Sequence, residues 1–310
     1  MSKKIIFMGT PTFAVPILKS IYQNGYPISV VYTQPPQRSK RGQKINKSPI
    51  QNISETLNLD FRSPQTLRNN EEEYNFLKEL NAELGIVVAY GQIIPKRFLD
   101  LTKKGFINIH GSVLPKWRGA APIQRSIMNL DTEIGISVMK ITEELDSGPV
   151  CNTYKFKLDN QLNAEHVSEK LSLLAAEKIL DNIDDIFDEK AKFINQDHTK
   201  ASYAKKIEKN EGKINWNDEV SKIIGMINGL FPSPGAFFIF NGERYKILKA
   251  EIGNGSGKVG EVISDSLEIA CAKNKSLKIL EIQRQGKKPQ KIGEFMLGSR
   301  IRKGALLTNA

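Results

Sequence analysis

The first thirty residues admit few folds. Lys4-Ile5-Ile6-Phe7-Met8 is an unbroken apolar run of strand length, closed by Gly9-Thr10-Pro11. From Ala14 to Gln23 the apolar residues recur at helical spacing, with Pro16 in the first turn, where its missing N–H costs nothing. Asn24-Gly25 stops that helix, and Ile28–Tyr32 supplies a second strand. Strand, helix, strand at this length is a βαβ unit, so the opening predicts an α/β domain built on a mostly parallel sheet. A dinucleotide site would need GxGxxG after the first strand. Gly9-Thr10-Pro11-Thr12-Phe13 lacks the glycines that let backbone approach a pyrophosphate, so NAD binding is excluded.

In open α/β sheets ligands bind where strands end. Three further strand ends carry polar or glycine-rich exits. Leu84-Gly85-Ile86-Val87-Val88-Ala89-Tyr90-Gly91 runs into a loop that closes at Pro95. Phe106-Ile107-Asn108-Ile109-His110 is a buried strand interrupted twice, two residues apart, before Gly111. Alternation puts Asn108 and His110 on one face, roughly 6.5 Å apart along the chain. Ile136–Ile141 alternates like a strand and breaks into Thr142-Glu143-Glu144-Leu145-Asp146-Ser147-Gly148-Pro149. Asn108, His110 and Asp146 thus make a candidate acyl-transfer constellation with no serine or cysteine nucleophile. Taken alone, His110 also fits a satisfied, half-buried structural histidine, with Asn108 capping a turn. Trp117 fits packing better than stacking, and Arg118 fits either an ion pair or a substrate contact.

Gln34–Pro49 holds Arg38, Lys40, Arg41, Lys44 and Lys47, no acid, and prolines near both ends. It reads as a long surface loop leaving the sheet edge that bears His110 and Asp146, able to close on a phosphate backbone. Helical patterns follow at Ile50–Leu57, Glu71–Leu80, Ala120–Asn129 and Ala164–Asp188. Between Glu189 and Lys213 the apolar pattern fades, which predicts residues 1–190 as the catalytic domain, 191–208 as a linker and 209–310 as a second domain. After a helix near Val220–Leu230, five short apolar runs (Ala236–Phe240, Tyr245–Ala250, Gly260–Ile263, Leu267–Cys271, Leu277–Ile282) suggest a small β-barrel, OB-like.

The formal net charge of +11 is uneven: residues 1–190 carry +2 and residues 191–310 carry +9. A near-neutral half joined to a basic one suits an anionic partner such as nucleic acid, although a basic surface can also serve solubility. Lysines 273, 275, 278, 287, 288 and 291 lie on or beside the later strands. Cys151 and Cys271 form no CxxC, and three histidines lack any HExxH spacing, so no metal is expected. No apolar run approaches the roughly 20 residues a bilayer requires, and Met1-Ser2-Lys3-Lys4 leads straight into a strand. The expectation is a cytoplasmic protein with no membrane partner.

Asn108-x-His110, Ser112-Val113-Leu114-Pro115, Arg118-Gly119-Ala120-Ala121-Pro122-Ile123 and Leu145-Asp146-Ser147-Gly148 together resemble the signature of the folate-dependent formyltransferases. The resemblance covers nearly the whole chain, from Phe7-Met8-Gly9-Thr10-Pro11 to the C-terminal region. It implies a Rossmann-like formyltransferase domain followed by an OB-like tRNA-binding domain. It implies 10-formyltetrahydrofolate as co-substrate and the α-amine of methionyl-initiator-tRNA as acceptor, in a monomer. Asn108, His110 and Asp146 would be catalytic. Ser112, Val113, Leu114, Pro115, Gly91 and Ile93 would line the folate pocket, and Arg38, Lys40, Arg41 and Lys44 would meet tRNA. Val113 stands where leucine is commoner. Three other activities fit parts of the pattern: formyl transfer to glycinamide ribonucleotide or an amino sugar, RNA binding without catalysis, and hydrolysis that releases formate.

Overall fold

The computed structural model describes residues 3–38, 45–159 and 161–307. They form two compact units, one comprising 1–119, 135–156 and 168–203, the other 120–134, 157–167 and 204–310.

The first unit holds the mostly parallel sheet that the opening residues predict. Its strands are β1 (Ile5–Gly9), β2 (Ile28–Tyr32), β3 (Phe61–Arg62), β4 (Leu84–Val88), β5 (Phe106–His110), β6 (Glu133–Lys140) and β7 (Val150–Lys157). They lie in the order β7-β6-β5-β4-β1-β2-β3. The pairs β1–β2, β1–β4, β4–β5 and β2–β3 are parallel, and β6 runs antiparallel to β5. Every residue of β1 and β4 is buried, as apolar strands of a covered parallel sheet must be. Gly85 breaks the apolar run of β4 for a packing reason. A Cβ there would fall 2.1 Å from the ring of Phe106, its partner on β5.

Helix α1 (Val15–Gln23) buries Ile17, Leu18 and Ile21, one face at helical spacing. Helices α2 (Pro49–Thr56) and α3 (Glu71–Leu80) start where side chains cap them. Ser48 Oγ accepts from the Gln51 amide at 2.9 Å, and Asn70 Oδ1 accepts from the Glu73 amide at 3.1 Å. Each cap is worth about 1 kcal/mol. Helix α4 runs Ala164–Phe187. Two findings refine the sequence-based expectations for this unit. Within the basic segment, Gln37–Arg38 pairs antiparallel with Ile45–Asn46, so its ends are tied rather than free loop. The strand β7 goes unpredicted because an edge strand exposes every second residue, and Asn-Thr-Tyr-Lys-Phe-Lys looks polar.

The second unit is built on an antiparallel sheet. Helix α5 (Val220–Gly229) precedes β8 (Ala236–Phe240), β9 (Glu243–Gly253), β10 (Glu268–Cys271), β11 (Lys275–Arg284), β12 (Gln290–Lys291) and helix α6 (Ile292–Gly298). The order is β8-β9-β11-β10, with β12 on β11. Its core gathers Trp216, Phe238, Tyr245, Leu277, Ile279 and Phe295. The expected strand at Gly260–Ile263 is instead a turn with single bridges from Glu261 to Leu306 and from Val262 to Ile269. Gly260 has φ +83°, off the extended path a ladder needs. The Pro122–Met128 helix lies against α5, and Gly225 and Gly229 make room for it. A Cβ at Gly229 would meet Met128 Cγ at 2.6 Å and Gln124 O at 2.9 Å. Two of the predicted basic-face lysines are engaged with acids: Lys273 with Glu219, and Lys278 with Glu251 at 2.8 Å. Among the described residues, no helix is long and apolar enough to cross a membrane.

Candidate active site

The chain runs outward from β1 through β2 to β3, then returns to place β4 on the other side of β1. Ligands of open α/β sheets sit at such a reversal, beyond the strands' C-terminal ends. The crossing is tied by Thr10, whose hydroxyl donates to Tyr90 O at 2.8 Å and accepts from the Gln34 amide at 3.2 Å. Gln34 Nε2 donates to Gly91 O at 2.7 Å. Gly91 is exposed with φ +84°, and Ile93 is 88% exposed, a large apolar side chain left uncovered on the same loop. The neighbouring strand β5 pairs Asn108 with Val87 of β4, so the loop after β4 and the polar end of β5 leave one edge together.

On β5 the two-residue alternation holds. Asn108 is half-buried and His110 is 5% exposed. Asp146 comes to them from the loop after β6, in the left-handed region at φ +46°, which aspartate tolerates better than most residues. Asn108 Nδ2 donates to Asp146 Oδ1 at 3.5 Å, and His110 Nδ1 lies 3.6 Å from Asp146 Oδ2. The three residues singled out as catalytic therefore converge on one carboxylate.

Backbone groups that no sequence pattern marks complete the arrangement. The Gly119 amide donates to Asp146 Oδ2 at 2.8 Å, and His110 Nε2 lies 2.8 Å from Trp117 O. Trp117 has φ +62° and Gly119 has φ +118°, so the Trp117–Gly119 turn aims one carbonyl and one amide at the pair. That turn is held from behind: the Trp117 amide donates to Ser202 Oγ at 3.0 Å and the Arg118 amide to Ser202 O at 2.8 Å. The side chain of Arg118, 2% exposed, donates through Nε and Nη2 to Gln196 Oε1 at 3.0 and 2.8 Å. Ser202 and Gln196 both fall in the stretch expected to be a linker. The next residue, Asp197, has its carboxyl held down to about 2 by the Thr199 hydroxyl, Lys200 and the Thr199 amide, which tie the following turn.

Ser112–Pro115 follows β5 directly. Ser112 is buried and its hydroxyl donates to Lys116 O at 2.6 Å. Ser137 Oγ donates to Ser112 O at 2.8 Å and accepts from the Leu114 amide at 3.1 Å. These groups are engaged within the protein, while Val113 and Pro115 stay half-exposed. Arg38 lies in the short strand pair described above, and Lys40, Arg41 and Lys44 lie outside the described residues. Among the described residues there is no cluster of three His, Cys, Asp or Glu side chains that could hold a metal ion.

This geometry has close relatives. Residues 3–183 match the family described as formyl transferase, and residues 206–300 match the formyl transferase C-terminal domain. The methionyl-tRNA formyltransferase of Pelagibacter ubique is 66% identical over 309 residues, covering 100% of both chains. That of Chelativorans sp. is 39% identical over 313 residues, covering 99% of this chain and 100% of its own. Among solved structures, an N-formyltransferase from Helicobacter canadensis, in complex with folinic acid and dTDP-3-aminofucose, superposes with TM-score 0.68 at 21% identity, over 92% of this chain and 100% of that one. Methionyl-tRNA formyltransferase from Clostridium thermocellum gives TM-score 0.58 at 18% identity, over 81% and 94%. At those identities the structural likeness speaks for the fold, and the full-length sequence identity speaks for the family. The chain belongs to the methionyl-tRNA formyltransferase family.

Proposed function

We propose that this protein transfers the formyl group of 10-formyltetrahydrofolate to the α-amine of methionyl-initiator-tRNA. The observation that carries the reading is the convergence of Asn108 and His110 on the Asp146 carboxylate at the sheet's C-terminal edge. It stands in a chain that aligns end to end with a relative of that name.

The folate donor supplies an amide-like formyl carbon whose bond to nitrogen is broken. The surroundings fit such a ligand. Ile93 and Leu145, 88% and 64% exposed, offer apolar cover from the loops after β4 and β6. A Cβ at Gly91 would sit 2.3 Å from Gln34 Nε2, so that backbone position is kept bare. Gly91, Ile93 and the Ser112–Pro115 segment would hold the folate, with Val113 and Pro115 offering surface and Ser112 and Leu114 fixing the segment's path.

During transfer a bond forms from the amine nitrogen to the formyl carbon, the bond from that carbon to the folate nitrogen breaks, and the amine proton ends on the folate nitrogen. Negative charge gathers on the formyl oxygen meanwhile. Asn108 Nδ2 has two hydrogens, one engaged by Asp146 and one to give to that oxygen. His110 stands at the same edge, its Nε2 hydrogen given to Trp117 O, and a fixed donor set of this kind supplies several kcal/mol. Asp146, 3.6 Å from Nδ1, orients the imidazole. Its Oδ1, which among the described residues accepts from Asn108 alone, at 3.5 Å, can take the amine proton.

The acceptor assignment rests on charge as well as family. Residues 191–310 carry +9, and residues 34–49 hold Arg38, Lys40, Arg41, Lys44 and Lys47 with no acid. A small amine acceptor needs neither. We assign catalysis to residues 1–190 and tRNA contact to 209–310, joined through 191–208, in a cytoplasmic monomer. The test supplies purified protein with 10-formyltetrahydrofolate and charged initiator or elongator methionyl-tRNA. Formylation of the initiator alone is expected. Transfer to neither tRNA, with glycinamide ribonucleotide or an amino-sugar nucleotide formylated instead, would overturn the acceptor; formate released without acceptor would mark a hydrolase.

A further inference from the structure

Gln196 occupies an unusual place in the first unit. Its amide is 8% exposed and makes four hydrogen bonds, each of which fixes which end of the amide points where. A guanidinium only donates, so Oε1 faces Arg118, accepting from Nε at 3.0 Å and Nη2 at 2.8 Å. Carbonyl oxygens only accept, so Nε2 faces the loop after β6, donating to Asp146 O at 2.9 Å and Gly148 O at 2.8 Å. Both hydrogens on Nε2 are spent on the loop that carries the catalytic carboxylate, one of them on Asp146 itself.

Arg118 is the other half of the device. It is buried, and among the described residues its side chain meets Gln196 and, at 3.4 Å, His198 Nδ1. Among the described residues no carboxylate makes an ion pair with it; a buried guanidinium so placed is costly, and such cost is retained where it fixes geometry. Here the cation polarises the Gln196 amide and strengthens its N–H donors toward the Asp146 loop. The same residue's neighbour, Gly119, donates to Asp146 Oδ2. Asp146 is thereby held at both ends, the carboxylate by Gly119 and the main chain by Gln196. Holding matters because Asp146 sits at φ +46°, where a loop left alone relaxes.

We infer that Gln196, anchored by Arg118, is a positioning residue for Asp146. It touches no reacting atom and acts by fixing where the carboxylate stands relative to His110 and Asn108. The inference rests on the role proposed above for Asp146. A misplacement of about 1 Å in such a group costs on the order of a hundredfold in rate.

The glutamine's two ends allow a discriminating test. Gln196→Glu keeps the acceptor for Arg118, now as an ion pair, and replaces both donors to the loop with a carboxylate oxygen that repels two carbonyls. Gln196→Met keeps the volume and removes all four bonds. Formyl transfer from 10-formyltetrahydrofolate to charged initiator tRNA is measured for both, with melting temperature alongside. The expected result is a ten- to hundredfold loss of kcat in a folded protein, with KM for both substrates within about threefold of the parent. A kcat within threefold of the parent, a loss confined to KM, or failure of both variants to fold would overturn the positioning role. A parent protein that formylates no charged tRNA would sink the proposed reaction instead, so the two failures are told apart.

Discussion

His110 Nε2 donates to the carbonyl oxygen of Trp117 at 2.8 Å. A carbonyl can only accept, so this contact settles which ring nitrogen carries a proton: Nε2 does, and Nδ1 is the nitrogen turned to Asp146, 3.6 Å away. Only three histidines are present, so a ¹⁵N spectrum of histidine-labelled protein resolves them. Nε2 of His110 is expected to be the ring nitrogen that bears the hydrogen. A spectrum with Nε2 as the bare nitrogen would contradict the assignment.

Asp146→Asn removes the charge while keeping the shape. A carboxamide has one oxygen, so it cannot accept from both Gly119 and Asn108 as the carboxylate does without turning its NH2 toward one of those donors. A kcat lower by about a hundred- to ten-thousandfold is expected, in the range of lost general acid–base assistance. Melting temperature should move by only a few degrees. Steady-state kinetics with charged initiator tRNA measures this, and near-parental turnover would remove Asp146 from the chemistry.

The side chains proposed as catalytic are visible in the sequence because strand alternation and chain breaks are local signals. Asn108 and His110 needed only a period of two, and Asp146 only the end of an apolar run. The partners that hold them are different in kind. Trp117 contributes a carbonyl and Gly119 an amide, and backbone groups carry no residue-type signature. Gln196 lies fifty positions beyond Asp146, in a stretch whose polar composition looks like a connector. The helix at Pro122–Met128 was legible, but its clustering with the second unit depends on Gly225 and Gly229, which have meaning only once the two helices meet. The strand β7 was hidden by its exposure.

Ile93, 88% exposed, is expected to be covered by the folate rather than by protein. Ile93→Ala should leave the melting temperature unchanged within a degree or two, since an exposed side chain supports no core. Loss of the apolar area it would bury against a ligand amounts to about 1 kcal/mol. Affinity for a stable folate analogue should then fall about fivefold in a fluorescence titration. Unchanged affinity would place the pterin elsewhere.

Burial pushes the thiols of Cys151 and Cys271 up to about 11, chiefly because the thiolate loses its hydration. The sign for stability follows from linkage. Both pKa values are raised on folding, so their contribution is fully present below the unfolded value near 9. It is lost as pH rises from there through about 11. Native protein should label with iodoacetamide at pH 8 at least tenfold more slowly than urea-unfolded protein. The urea midpoint should fall between pH 9 and pH 11. Rapid native labelling of both thiols would show that neither is protected.

Gly148 tests the loop from its other side. Its carbonyl accepts from Gln196, and a Cβ added to it would lie 2.0 Å from Lys140 O and 3.1 Å from the Thr142 methyl. The oxygen belongs to the end of β6 and cannot rotate away as a side chain would. Gly148→Ala must push the loop off the strand, and overpacking of this sort costs about 1–3 kcal/mol. Because Asp146 is two residues upstream, the same displacement moves the carboxylate from His110. Lower melting temperature and lower kcat are expected together, measured by calorimetry and by formyl transfer. A stable variant with parental turnover would show that the Asp146 loop tolerates movement, and that its close fit against β6 has no part in catalysis.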